Sequence, residues 1–166
     1  MQLTLPYGKG HVAVELPSGY AVDFVMPRRQ KPADDPATLV RNAVYNPLGA
    51  VKPPRAGQTV AIAINDKTRL VPHEHLLPPV LQGMRHARVR DEDLLFILAT
   101  GTHPRMEPAE YETILPSEIL ETHRVVCHDA DDQANPTFLG STARGTPAQI
   151  NSDYLAADYR MVIGNI

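Results

Sequence analysis

The sequence predicts an α/β fold: a Rossmann-like, mostly parallel sheet flanked by helices, with an N-terminal β-hairpin. Short continuous apolar runs, typical of strands that are covered on both faces, alternate with stretches of helical periodicity. Nearly every apolar run is followed by a polar loop. The 166 residues fit one ordinary domain, since domains usually contain roughly 100–200 residues.

Residues near the N-terminus alternate between apolar and polar side chains, which predicts a hairpin with strands over 11–16 and 20–25. Pro17-Ser18-Gly19 supplies the turn between these strands. We expect residues 1–30 to form a hairpin arm within a domain that spans 1–166. A helix is predicted to begin at Asp35-Pro36, and Asn46-Pro47-Leu48-Gly49 is expected to end it.

The remainder of the chain alternates between strand and helix signals. Strands are predicted over 59–64, 93–98, 123–127 and 158–163, and helices over 72–86, 107–113, 116–121 and 151–157. Pro78-Pro79 leaves open a later start for the helix over 72–86. Residues 137–150 predict a second hairpin that turns at Arg144-Gly145.

Composition excludes several classes of protein. Lys and Arg total 16 against 19 Asp and Glu, and this net charge of −3 argues against a nucleic-acid-coating protein. No segment approaches the roughly 18–20 apolar residues that span a bilayer, and the first residues do not resemble a signal peptide. A single cysteine, Cys127, excludes an internal disulfide framework and a Cys-rich zinc module. We therefore expect a cytoplasmic protein with neither nucleic acid nor membrane as a partner.

The loop after the first apolar strand, 65–69, contains two cations, a carboxylate and a hydroxyl. Ligands of parallel sheets bind outside the carboxyl ends of the strands, where this loop begins. Arg69 offers a planar fork for a carboxylate or phosphate, and Asp66 is suited to orient a histidine or to balance the cations. The alternative is a solvated loop whose Asp66 and Thr68 cap the next helix.

The loop after the second apolar strand contains Thr100-Gly101-Thr102-His103-Pro104. Gly101 frees the backbone, and its amide with the two threonines is suited to line an anion site. His103 is the side chain of this loop that exchanges a proton near neutral pH. The alternative is that His103 is an ordinary turn residue before a proline.

Other histidines invite a metal-site interpretation that their spacing disfavours. On a helix His73 and His75 point about 200° apart, whereas metal-binding pairs usually stand at i and i+4. We therefore assign no metal ligand. Cys127 is expected to be a small buried residue, while His128 and Asp129 are candidates for the edge of a site.

Four segments in order resemble a known family: 66–72, 97–103, 126–129 and 139–147. From about Tyr7 to the end, the chain is similar to the N-terminal domain of the nickel-pincer lactate racemases, the LarA family of 2-hydroxyacid racemases and epimerases. The resemblance implies an isomerase with two α/β domains and a small 2-hydroxyacid bound between them. It also implies a nickel-pincer nucleotide that accepts a hydride from the α-carbon of the substrate.

The resemblance assigns roles to the two polar loops. His103 would be one of two acid/base histidines, Asp66 would orient His103 or the substrate, and Arg69 would hold the substrate carboxylate. Thr68, Gly101 and Thr102 would line the substrate cleft.

The family's second histidine, its tethering lysine and its nickel-ligating histidine follow the strand that matches 158–163. The predicted sheet also looks unfinished at that strand. We therefore expect the N-terminal catalytic domain of a longer chain, with a C-terminal domain as its partner. Alone it would hold no cofactor and be inactive. The alternative is a non-catalytic module that binds small carboxylates or phosphates through Arg69 and the Gly101 loop.

Overall fold

The chain separates into two units in the computed structural model, which describes residues 1–165. The first unit is Met1–Pro32, and the second begins at Ala33. In the first unit, strand β1 (Gln2–Tyr7) pairs antiparallel with strand β2 (Gly10–Glu15). Gly8 has a φ of +56° at the first position of the two-residue turn between them. A hairpin turn of type II′ favours glycine at that position.

The predicted N-terminal hairpin is confirmed, but one of its two strands was predicted at the wrong position. β2 agrees with the predicted 11–16, but its partner is β1, and residues 20–25 lie in no strand or helix. Pro6 lies inside β1, and a proline weakens any strand signal because it donates no ladder hydrogen bond. A two-stranded hairpin tolerates it, because each strand has an unpaired edge.

The second unit is built on a four-stranded parallel sheet, counted over the described residues. Its strands are β3 (Val60–Asn65), β4 (Leu94–Ala99), β5 (Arg124–Cys127) and β8 (Tyr159–Ile163), in the order β5-β4-β3-β8. All three pairings are parallel. The predicted α/β fold with a mostly parallel sheet is therefore confirmed. A separate antiparallel hairpin, β6 (Pro136–Ser141) with β7 (Pro147–Asn151), matches the predicted second hairpin.

Helices connect and cover these strands. They are α1 (Pro36–Tyr45), α2 (His73–His86), α3 (Ser117–Thr122), α4 (Ser152–Ala156) and two 3₁₀ helices, Asp91–Asp93 and Pro108–Thr113. α1 begins where predicted, because the Asp35 side chain accepts the Thr38 amide hydrogen at 3.0 Å. Asn151 caps α4 in the same way through the amide of Tyr154.

Helix α2 runs through both of its prolines and does not start at them. Pro78 and Pro79 lack amide hydrogens, so the carbonyls of Glu74 and His75 lose their usual helical partners. Burial compensates for this loss, since the apolar face of the helix packs into the main core. The buried apolar side chains of this face are Leu77, Pro79, Val80, Leu81 and Met84.

Alternate residues of the central strands form the main core. Phe96 of β4 is completely buried there, and its ring centroid lies 5.5 Å from that of His123. The other buried strand residues of this cluster are Val60, Ile62, Ile64, Leu94 and Leu98. On the opposite face a smaller cluster contains Ala61, Ile97 and Ala157. No helix within residues 1–165 is long and apolar enough to cross a membrane.

We expect Phe96→Ala to lower the free energy of unfolding by about 3–5 kcal/mol, because the cavity left in the core would be only partly refilled. Urea denaturation followed by circular dichroism measures this change. Leu48→Ala is the control, since Leu48 is fully exposed and its loss should change stability by less than about 0.5 kcal/mol. Equal effects of the two substitutions would contradict the described core.

Candidate active site

The parallel register of β3 and β4 brings the two polar loops to the same edge of the sheet. Asn65 pairs with Ala99 at the end of the ladder, so Asp66 and Thr100 leave the sheet side by side. This edge is the carboxyl edge, where ligands of parallel sheets bind. Both loops therefore open at one edge of the sheet.

Asp66 is a buried carboxylate, with only 4% of the residue exposed. Its Oδ1 accepts hydrogen bonds from the Thr68 hydroxyl at 2.7 Å and from the Thr68 amide at 3.2 Å. Burial raises the pKa of Asp66, but the hydrogen bonds from Thr68 and His103 outweigh burial and bring the pKa below its ordinary value. Asp66 is therefore ionised at neutral pH.

His103 is held through both its backbone and its ring. Its amide donates to the carbonyl of Thr100 at 3.0 Å, which closes a turn whose second residue, Gly101, has a φ of +62°. In the ring, Nδ1 lies 2.7 Å from Oδ2 of Asp66. Because ionised Asp66 only accepts, Nδ1 must hold a hydrogen. In a neutral imidazole the lone pair is then on Nε2, and 48% of the side chain is exposed.

Among the described residues, Lys67 and Arg69, the two cations of the first loop, differ in whether they form a salt bridge. Lys67 forms a salt bridge with Glu110, which belongs to the 3₁₀ helix Pro108–Thr113. Arg69 is exposed and forms no salt bridge within residues 1–165. Arg69 is therefore the cation of this loop that is available to an anion.

The structure thus brings together Asp66, Thr68 and His103, three of the residues selected from sequence. Gly101 and Thr102 are exposed residues of the turn that precedes His103. The predicted contacts with a substrate remain untested for Arg69, Gly101 and Thr102.

Three contacts around these loops were not predicted from the sequence. They are the Lys67–Glu110 salt bridge, the hydrogen bond from the Thr100 hydroxyl to the His128 carbonyl at 2.8 Å, and the one from the Met106 amide to Cys127 Sγ at 3.3 Å. Apart from the residue types, the sequence holds no signal that pairs them. Cys127 is half-buried, and burial raises the pKa of its thiol, so it is uncharged at neutral pH.

The first two histidines of α2, His73 and His75, differ in their burial. His73 is buried, and burial lowers the pKa of its ring, whereas His75 is exposed. Within residues 1–165, no group of three or more His, Cys, Asp or Glu side chains is placed to hold a metal ion.

A family model described as the lactate racemase N-terminal domain matches residues 7–166. The chain belongs to the lactate racemase N-terminal domain family. Among solved structures it is similar to the lactate racemase apoprotein from Thermoanaerobacterium thermosaccharolyticum, with a TM-score of 0.75 and 25% sequence identity. The match covers 98% of this chain and 38% of the racemase apoprotein, so the chain spans well under half of that protein's length. No curated protein matches.

We expect Thr68→Val to raise the pKa of Asp66, because valine lacks the hydroxyl that donates to Asp66 Oδ1 at 2.7 Å and keeps only the backbone amide donor. A carboxyl group whose pKa is lowered by folding stabilises the folded state at every pH above its unfolded pKa near 3.8. This stabilisation is lost as the pH falls through the pKa of the folded state. The variant should therefore unfold at a higher pH during acidification. Titration of the Asp66 carboxyl carbon by NMR measures the shift.

Thr68→Ser is the control for this prediction, since serine keeps both the hydroxyl and the backbone amide donor. Its acid unfolding should follow that of the unchanged chain. An Asp66 pKa that is the same in all three proteins would show that Thr68 does not set the charge of this carboxylate.

Proposed function

We propose that this chain is the catalytic N-terminal part of a 2-hydroxyacid racemase or epimerase. The proposal rests on the 2.7 Å contact between Asp66 Oδ2 and His103 Nδ1, together with Arg69 of the same loop as Asp66, which is exposed and forms no salt bridge within residues 1–165. Family membership supports the reaction class, and the contact supports the assignment of roles.

His103 acts as the acid/base group for the substrate hydroxyl. Asp66 holds the Nδ1 hydrogen and so leaves the Nε2 lone pair to accept the hydroxyl proton. As the proton moves to Nε2, the ring becomes an imidazolium, and the adjacent carboxylate of Asp66 stabilises its charge. In the reverse direction, protonated Nε2 gives its proton to the substrate oxygen as C2 regains a hydride, which restores the hydroxyl.

Arg69 binds the carboxylate of the 2-hydroxyacid. Two parallel N–H groups of the guanidinium match two carboxylate oxygens and fix the orientation of the substrate as well as its charge. Thr68, Gly101 and Thr102 are proposed to line the same cleft. Lys67 is a poorer candidate, because Glu110 already neutralises it.

Inversion of C2 also requires an acceptor for its hydride. We propose the nickel-pincer nucleotide implied by the family resemblance, bound in a longer protein that includes a C-terminal domain. The donor groups described here do not fit a nickel site, since within residues 1–165 no three potential ligands converge. The chemistry assigned to this chain is therefore limited to proton transfer and to carboxylate binding.

We expect His103→Ala in the cofactor-loaded protein to lower the rate of racemisation of lactate by about 10²–10⁴-fold with little change in KM, because proton transfer is lost and binding is not. Chiral chromatography of the product measures the rate from each enantiomer. If a second base serves the other enantiomer, single-turnover rates should fall more for one enantiomer than for the other.

Unchanged single-turnover rates with both enantiomers would remove His103 from catalysis. A protein that binds lactate through Arg69 but racemises no 2-hydroxyacid, even when loaded with cofactor, would support the non-catalytic binding module.

We expect Arg69→Lys to raise KM about tenfold or more, because lysine keeps the charge but loses the bidentate geometry. Lys67→Gln is the control, because it removes a charge two residues away from Arg69, at a cation that already forms a salt bridge with Glu110. It should change KM less than about threefold. Initial rates over a range of lactate concentrations measure both. A larger effect on KM at Lys67 than at Arg69 would show that Arg69 is not the cation that binds the substrate carboxylate.

A further inference from the structure

Thr100 is a buried polar residue that the proposed chemistry does not use. Only 3% of it is exposed, and its hydroxyl donates to the carbonyl of His128 at 2.8 Å. His128 directly follows β5, and Thr100 directly follows β4. The hydroxyl therefore links the ends of two neighbouring strands, one of which leads into the loop of His103.

The position of this hydrogen bond in the ladder explains why it matters. Leu98 pairs with Cys127, and the amide of His128 donates to the carbonyl of Leu98 at 3.0 Å. In a parallel ladder with this register, the next rung would join the amide of Thr100 to the carbonyl of His128. The Thr100 hydroxyl takes the place of that amide.

The replacement releases the backbone of Thr100 from the sheet. Its amide donates instead to the carbonyl of Leu98 at 3.1 Å, and its carbonyl accepts the amide of His103 at 3.0 Å. The chain can therefore turn away immediately after β4 while it stays attached to β5. This turn delivers the ring of His103 to the carboxylate of Asp66.

A second attachment lies at the other end of the same loop. The amide of Met106 donates to Sγ of Cys127 at 3.3 Å, and Met106 is almost fully buried. The loop that contains His103 is thus attached on both sides to two consecutive residues, Cys127 and His128. Of the two attachments, only that of Thr100 is joined by a backbone hydrogen bond to His103 itself.

We propose that Thr100 is a positioning residue, whose hydroxyl holds His103 in hydrogen-bonding contact with Asp66 by replacing the last rung of the β4–β5 ladder. Its catalytic importance rests on the proposed role of His103 as acid/base group. The geometric part of the proposal does not, since it concerns the orientation of the His103 ring in the chain alone.

Thr100→Val and Thr100→Ser test the proposal by NMR on the full 166-residue chain. Valine keeps the shape of threonine without the hydroxyl, while serine keeps the hydroxyl without the methyl group. In Thr100→Val we expect the hydrogen-bonded Nδ1–H signal of His103 to be lost. We also expect the His103 amide to exchange with solvent at least about tenfold faster, because its turn is no longer fixed. Thr100→Ser should retain both signatures.

Thr122→Val is the matched control, since the Thr122 hydroxyl also donates to a backbone carbonyl, that of Glu118 at 2.6 Å. Thr122 ends α3 just before β5 begins, so it lies toward the opposite edge of the sheet. This variant should leave the His103 signals unchanged. The amide of Ile62 in β3 reports on global unfolding, so only an increase in His103 exchange that exceeds the increase at Ile62 counts as loss of the turn.

Retention of both His103 signatures in Thr100→Val would overturn the proposal. If that variant does not fold, Thr100→Ser decides, because a folded serine variant that has lost both signatures would show that the methyl group and not the hydroxyl is required. Neither readout needs substrate or cofactor. A positive result here together with full activity of His103→Ala would therefore refute the proposed function and leave the positioning role of Thr100 intact.

Discussion

Parallel pairing of β3 with β4 in a single register is the constraint on which the candidate site depends. Side chains alternate between the two faces of a strand, so a slip of one residue would move either Ile62 of β3 or Phe96 of β4 out of the main core. The same register sets Asn65 beside Ala99, and hence Asp66 beside Thr100. Core packing therefore fixes the geometry of the site, although no core residue takes part in its chemistry.

Asp66 adds an electrostatic constraint to this geometric one. A buried carboxylate is costly unless donors compensate it, and here the donors are Thr68 and His103. The two residues depend on each other. The His103 ring donates a hydrogen bond to the Asp66 carboxylate, and the negative charge of this carboxylate keeps the ring hydrogen on Nδ1. A site-edge histidine without this partner would sample both tautomers and several orientations. Burial of Asp66 thus turns an exposed loop residue into an oriented base.

Sequence patterns were sufficient for the features that depend on neighbouring residues. Apolar runs located all four strands of the parallel sheet, and the cap at Asp35 located the start of α1. The polar residues at strand ends led to Asp66 and His103 because parallel sheets place such residues at one edge. Patterns failed where several partners compete. β2 could pair with the segment before it or with the segment after it. It pairs with β1 across the short Gly8-Lys9 turn, although residues 20–25 also show the alternation of a strand.

Long-range polar contacts were the other features that the sequence did not reveal. Thr100 and His128 are 28 residues apart, and nothing in either segment marks a hydroxyl that will replace an amide in the ladder. Two residues fix His103: Asp66 and Thr100. Both are buried and directly follow a strand, whereas nearly half of the His103 side chain is exposed to solvent. The sheet therefore holds the His103 ring in place, and the exposed part of the ring is accessible from solvent. A substrate must reach the His103 ring through its solvent-exposed part, and Arg69 of the neighbouring loop is also exposed. The buried carboxylate of Asp66 thus orients the ring, and the exposed part of the ring stays open for proton transfer.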